Sequence, residues 1–239
     1  MAKGSIALVG SGEFLPEMSD LESLLIQDGV RNGKVPRFIQ IPTAAGQESP
    51  DRIKYWKELG RAQGERLGIE VEFLEVFNRQ DAQDKELATL IADSALIYLS
   101  GGDPHHLADS LAGTPVFDAI YQGWSSGSSL AGCSAGAMAL STHIPNFRLS
   151  KKSPTPGFNL LTNIRVIPHF DRFFRWIPDS AAKVLMSTSD ETVLIGIDEL
   201  TALVNRSQEP DWQVIGSGLV HILSGAPSAQ LAESARITL

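Results

Sequence analysis

The sequence predicts an α/β fold: a doubly wound, mostly parallel sheet with helices on both faces, closed by antiparallel strands near the C-terminus. Three observations carry this. Apolar runs of strand length recur at 5–10, 36–41, 71–76 and 95–99, and a segment with helical periodicity separates each from the next, which is the pattern of βαβ units. Beyond residue 193 the apolar runs follow one another with no helical segment between them. With 239 residues, 43% of them hydrophobic and 20% charged, the chain can bury one sizeable core, so a single domain over 1–239 is expected.

The elements follow in order. Ser5 to Gly10 is the first strand and leads into the turn Ser11-Gly-Glu-Phe14; Met18 to Ile26 is a helix with Leu21, Leu24 and Leu25 on its apolar face. That turn lacks the G-x-G-x-x-G spacing and the lysine of a nucleotide loop, so no nucleotide and no other cofactor is expected. Glu13 lies at the strand's carboxyl end, as a pocket wall or, more ordinarily, an exposed turn carboxylate. Pro36 to Ile41 is the second strand; Ser49-Pro50 supplies a cap and a first-turn proline for a helix with Ile53, Trp56, Gly60 and Leu67 on one face. Val71 to Val76, a helix over Asp84 to Ala92, and Ala95 to Leu99 complete the pattern. His105 and His106 are adjacent and have no third ligand at metal spacing, so metal is not expected. Pro115 to Gly123 is a helix, with Trp124 in the core. The stretch 142–156, with Arg148, Lys151 and Lys152, reads as a long loop, solvated or a lid. Phe170 to Met186 reads as a helix broken at Pro178, and 212–223 as a hairpin turning at Gly216-Ser-Gly218.

Net charge is −8 with no basic cluster, which argues against nucleic acid as a partner. No run reaches the ~20 apolar residues of a membrane span, and the single cysteine marks no oxidising compartment. A cytoplasmic protein is expected, and a homodimer is compatible with the sequence.

The chemistry centres on Gly132-Cys-Ser-Ala-Gly136, an apolar strand running into a small-residue helix through Gly-x-Ser-x-Gly. Such a turn lifts Ser134 clear of the sheet, and the free amide of Ala135 at the helix start suits a forming oxyanion. A tight Gly/Ala turn that merely packs a helix on a strand is the bland alternative. A serine needs a base and an orienting acid. His169 ends an apolar run, where sites of open sheets lie, and Glu199 interrupts the apolar stretch 193–204 beside Asp198. The expected triad is Ser134, His169, Glu199; the rival is Ser134, Asp198, His221, in the chain order of α/β-hydrolases. Cys133 should point away from the site by strand alternation. The double glycine Gly101-Gly102 allows the close backbone approach that an oxyanion donor needs.

Gly132-Cys-Ser-Ala-Gly-Ala137, Tyr98-Leu-Ser-Gly-Gly-Asp103, His169-Phe170, Gly196-Ile-Asp-Glu-Leu-Thr-Ala-Leu203 and Val214-Ile-Gly-Ser-Gly-Leu-Val220, taken together, resemble the serine peptidase family of cyanophycinase and peptidase E, an aspartyl dipeptidase. The resemblance implies a flavodoxin-like fold of the class I glutamine amidotransferase kind, a nucleophile at Ser134, its base at His169, its acid at Glu199, and oxyanion amides at Gly102 and Ala135. It implies a small peptide or isopeptide substrate cleaved beside an aspartyl residue, with Arg175 in the place of a substrate-binding arginine; Asp103, after the double glycine, and Arg172, near Arg175, are expected as further substrate contacts of this chain. The pattern is incomplete. Asp103-Pro104 replaces the usual Asn and polar residue, Ile167-Pro168 a polar pair, and Phe173 and Pro178 two arginines. A non-catalytic binding protein of the same fold, or an esterase or amidase, is the alternative; a glutamine amidotransferase would need Cys where Ser134 stands.

Overall fold

A computed structural model describes residues 3–144, 155–172, 192–207 and 209–239. Its strands are β1 (Ile6–Val9), β2 (Val35–Ile41), β3 (Glu70–Phe73), β4 (Ser94–Leu99) and β5 (Ser129–Cys133), then β6 (His143–Ile144), β7 (Thr155–Pro156), β8 (Ile164–Ile167) and β9 (Val193–Ile197), and finally β10 (Thr201–Asn205), β11 (Trp212–Gly216), β12 (Val220–Ser224), β13 (Ala229–Leu231) and β14 (Arg236–Ile237). Between them run α1 (Ser19–Arg31), α2 (Pro50–Leu67), α3 (Lys85–Ile91), α4 (Pro104–Leu111), α5 (Pro115–Ser125) and α6 (Ala135–Ala139).

Local chemistry fixes the helix ends. Ser49 accepts from the Arg52 amide ahead of Pro50, and Gly68 at φ 65° closes α2, a left-handed stop that glycine adopts without penalty. Asp84 caps α3, and Thr114 caps α5 ahead of Pro115. Along the parallel strands, side chains divide between two cores. Leu8, Ile39, Ile97 and Leu130 enter one, shared with α3 to α6; Val9, Phe38, Tyr98 and Ala131 enter the other, under α1 and α2. Strands buried on both faces need helices on both sides, and these have them.

The large sheet has the order β14-β11-β10-β1-β5-β4-β2-β3, parallel from β1 to β3 and antiparallel beyond β1. A second sheet, β13-β12-β9-β8, packs into the same core as α4 to α6 through Val166, Ile195 and Ile222. The C-terminal strands are therefore split between two sheets. β9 ends at Ile197 in the small sheet and β10 begins at Thr201 in the large one.

The expected hairpin over 212–223 does not form. β11 pairs with β10 and β14, β12 with β9 and β13. At Gly216, with φ 122°, an added Cβ would stand 2.2 Å from the Leu200 carbonyl oxygen; the chain leaves the large sheet there, and the Gly218 amide donates to Thr201 Oγ1. Within 142–156, β6 and β7 pair as a short antiparallel ladder; residues 145–154, and with them Arg148, Lys151 and Lys152, lie outside the described residues, as does most of the helix expected over 170–186. Among the described residues no helix is long and apolar enough to cross a membrane.

Candidate active site

β5 runs in parallel beside β1 and β4, and its carboxyl end delivers Ser134 to the edge where open α/β sheets bind ligands. The Ser134 amide donates to the Val9 carbonyl at 2.9 Å, and the residue then turns at φ 48°, ψ −102°. A non-glycine residue held there costs on the order of 1–3 kcal/mol. Two glycines make the bend feasible: a Cβ at Gly132 would stand 2.5 Å from the Gly136 carbonyl carbon, and one at Gly136 2.5 Å from the Leu99 oxygen.

His169 follows β8, also at positive φ, 50°. Its Nε2 lies 3.0 Å from Ser134 Oγ and its Nδ1 2.9 Å from Glu199 Oε1. A carboxylate on Nδ1 keeps the proton there, so Nε2 is left to accept from the serine hydroxyl. Glu199 sits in the three-residue link between β9 and β10 and is held from two sides. Its amide donates to Asp171 Oδ1 at 3.0 Å, and Arg172 Nε donates to its Oε2 at 3.0 Å. The His169 side chain is 41% exposed, so the arrangement opens to solvent.

The turn after β4 lies alongside. A Cβ built on Gly101 would sit 3.5 Å from Ser134 Cβ; Gly102 has φ 141°, and its Cβ would stand 2.3 Å from the Ala44 oxygen. Only glycine fits at 102. Asp103 Oδ1 accepts from the amides of His105 and His106, so one oxygen of this expected substrate contact caps α4. His105 Nδ1 meets Thr155 Oγ1 and His106 Nε2 the Phe77 carbonyl; among the described residues no group of three or more His, Cys, Asp or Glu is arranged to hold a metal.

Asp198 and His221, the rival acid and base, do pair, at 2.9 Å. They pair with each other, Asp198 also accepting from the Leu219 amide at 2.9 Å, while the ring facing Ser134 is that of His169. The Phe170 ring packs on His221 at 4.6 Å. Adjacent carboxylates thus serve different histidines. Arg172, expected at the substrate, is turned onto Glu199, and Arg175 lies outside the described residues.

Cys133 is buried and its thiol donates to Glu13 Oε2 at 2.8 Å; burial pushes the thiol well up, and the neighbouring Glu13 charge adds to the shift, so it stays a thiol rather than a nucleophilic thiolate. Glu13 is not the exposed turn carboxylate expected. It is 6% exposed, because the turn after β1 folds down against the glycine turn after β4, where the Gly101 amide donates to its Oε1. Nearby Glu22, on the buried face of α1, accepts from the Phe14 amide and from Gln63; burial raises its pKa from 4.5 to about 7, with the Glu13 charge acting in the same direction.

Comparison with known proteins agrees with this architecture. The crystal structure of a peptidase from an acI-B1 Actinobacterium superposes with a TM-score of 0.97 at 57% identity, over 100% of this chain and 98% of that one. A Listeria monocytogenes structure named as a peptidase E protein has the same fold, with a TM-score of 0.63 at 22% identity over 93% of this chain and all of the other. The cyanophycinase of Geminocystis herdmanii is 31% identical over 201 residues, 80% of this chain and 68% of that protein. The model of peptidase family S51 matches residues 6–211, from the first parallel strand past the link that carries Glu199. A match of that extent decides the matter: the chain belongs to peptidase family S51 and is a serine peptidase-like hydrolase.

Proposed function

We propose that the chain cleaves a peptide or isopeptide bond beside an aspartyl residue, with Ser134 as nucleophile, His169 as general base and acid, and Glu199 as the orienting carboxylate. The observation that carries this reading is the unbroken line of hydrogen bonds from Ser134 Oγ through His169 to Glu199, at 3.0 and 2.9 Å. Ser134 Oγ bonds to the substrate carbonyl carbon as its proton passes to His169 Nε2, and the oxyanion settles on the amides of Gly102 and Ala135. The C–N bond then breaks, the amine departs with that proton, and water repeats the sequence to release the acid and restore the serine. Glu199 stabilises the imidazolium in both halves, with Arg172 and Asp171 fixing its position.

The substrate class rests on the likeness to cyanophycinase and on Arg175, with Asp103 beside the site as a further contact. A fluorophosphonate probe tests the nucleophile: Ser134 is expected to be labelled, and Ser134→Ala to fold and remain unlabelled. Attachment at Cys133 or elsewhere in that variant would overturn the assignment. Turnover of a panel containing aspartyl dipeptides and β-aspartyl-arginine tests the substrate, and equal cleavage of uncharged analogues removes the acidic specificity.

A further inference from the structure

Beneath the bend lies a carboxylate that none of these steps uses. Glu13 reaches two distant parts of the chain, accepting from the Gly101 amide at 2.8 Å with Oε1 and from the Cys133 thiol at 2.8 Å with Oε2. A buried carboxylate is costly unless its oxygens are served, and here each is. The two donors stand directly beside the proposed oxyanion amides: Gly101 precedes Gly102, and Cys133 precedes Ser134 and Ala135.

In the turn after β4, Ser100 donates to the Ile41 carbonyl, Gly101 to Glu13 and Asp103 to the Ala44 carbonyl. Among the described residues the Gly102 amide is the one left over in that turn. Across from it, the Ser134 amide is taken by Val9, so among the described residues Ala135 is the first free amide of α6. We propose that Glu13 is a positioning residue of the active site: one oxygen holds Gly101, the other holds Cys133, and together they set the separation of the Gly102 and Ala135 amides around Ser134. The proposal rests on the serine-hydrolase reading above.

The packing on the Gly101 side is close. A Cβ on Gly101 would meet Glu13 Oε1 at 2.8 Å and Ser134 Cβ at 3.5 Å, so the turn lies between carboxylate and nucleophile with no room for a side chain. The thiol remains a donor because burial keeps it protonated. The next residue, Phe14, is fixed in turn through its amide on Glu22, and its ring packs on Phe38 and Tyr98.

Labelling of Ser134 by a fluorophosphonate, resolved into KI and kinact, tests the proposal on wild type, Glu13→Gln, Glu13→Met and Cys133→Ala, with thermal melts alongside. Loss of one oxyanion donor costs about 10²–10³ in rate. Displacing rather than deleting the pair is therefore expected to lower kinact by roughly 10–100-fold in Glu13→Met with KI unchanged. Glu13→Gln, whose carbonyl oxygen still accepts from Gly101, should recover most of that loss, and Cys133→Ala should show a smaller loss of the same kind. A kinact for Glu13→Met within threefold of wild type, or a loss carried by KI, overturns it. If Glu13→Met does not fold, Cys133→Ala decides: an unchanged kinact there overturns the role. An unlabelled wild-type chain overturns the hydrolase reading and this proposal with it, whereas labelled wild type with unmoved variants overturns Glu13 alone.

Discussion

Replacing Glu22 by glutamine should change how stability depends on pH, and the size of the change follows from its burial. Desolvation holds the Glu22 carboxyl at about 7 against an ordinary 4.5, despite hydrogen bonds from Gln63 and Phe14 that favour the charged form. Between those two values the folded chain keeps a proton that the unfolded chain releases. Its stabilising contribution is therefore complete below about pH 4.5 and falls as pH rises through about 7, by about 3 kcal/mol in all. Glu22→Gln cannot titrate. It keeps an acceptor for the Phe14 amide but turns its NH2 toward Gln63, a lost hydrogen bond costing about 1 kcal/mol. The variant should accordingly be about 1 kcal/mol less stable than wild type in acid and about 2 kcal/mol more stable above neutrality. Urea unfolding of both chains at intervals from pH 4 to pH 8 measures this, and the subtraction cancels every other titrating group. Parallel curves across that range would refute the argument.

Three further substitutions test the site itself. Glu199→Gln should lower turnover by at least about 10²-fold through the wrong imidazole tautomer, and Asp198→Asn by less, since it faces His221; the reverse order of effects would reassign the acid. Arg175→Lys should reduce kcat/KM for an aspartyl substrate by about tenfold or more through loss of a two-pronged carboxylate contact, while unchanged kinetics would remove Arg175 from the substrate.

What could be read from the chain was what neighbours in sequence decide. The bend at Ser134 is written in Gly132 and Gly136, whose missing side chains are required by atoms a few bonds or one strand away, and the helix caps at Ser49, Asp84 and Thr114 are equally local. The alternating runs were enough for a parallel sheet with antiparallel strands after it. The second sheet was not legible, because the five-residue runs of β9 and β10 look the same whether they share a ladder or not; only the register of β10 on β1 and of β12 on β9 separates them. The same blindness turned β11 and β12 into a hairpin. Glu13 defeated local reading for another reason: its donors lie 88 and 120 residues away, and a turn carboxylate looks exposed until the chain folds over it. Asp171, which holds the Glu199 amide, was missed for the same reason, its partner lying 28 residues on.

The split between sheets has a consequence for alignment. Ser134 and the Gly102 turn follow strands of the large sheet, whereas His169 follows β8 and Glu199 follows β9, neighbours in the small one. The imidazole therefore rides on the small sheet and the nucleophile on the large one, while Glu199, in the link from β9 to β10, is tied to both. Sliding one sheet over the other would fall directly on the 3.0 Å gap between His169 and Ser134, where half an ångström or so separates a hydrogen bond from none. That single junction works as the gauge of how the two sheets are seated, so substitutions in the shared core under Val166, Ile195 and Ile222 can detune the nucleophile from a distance without touching the groups that act on it.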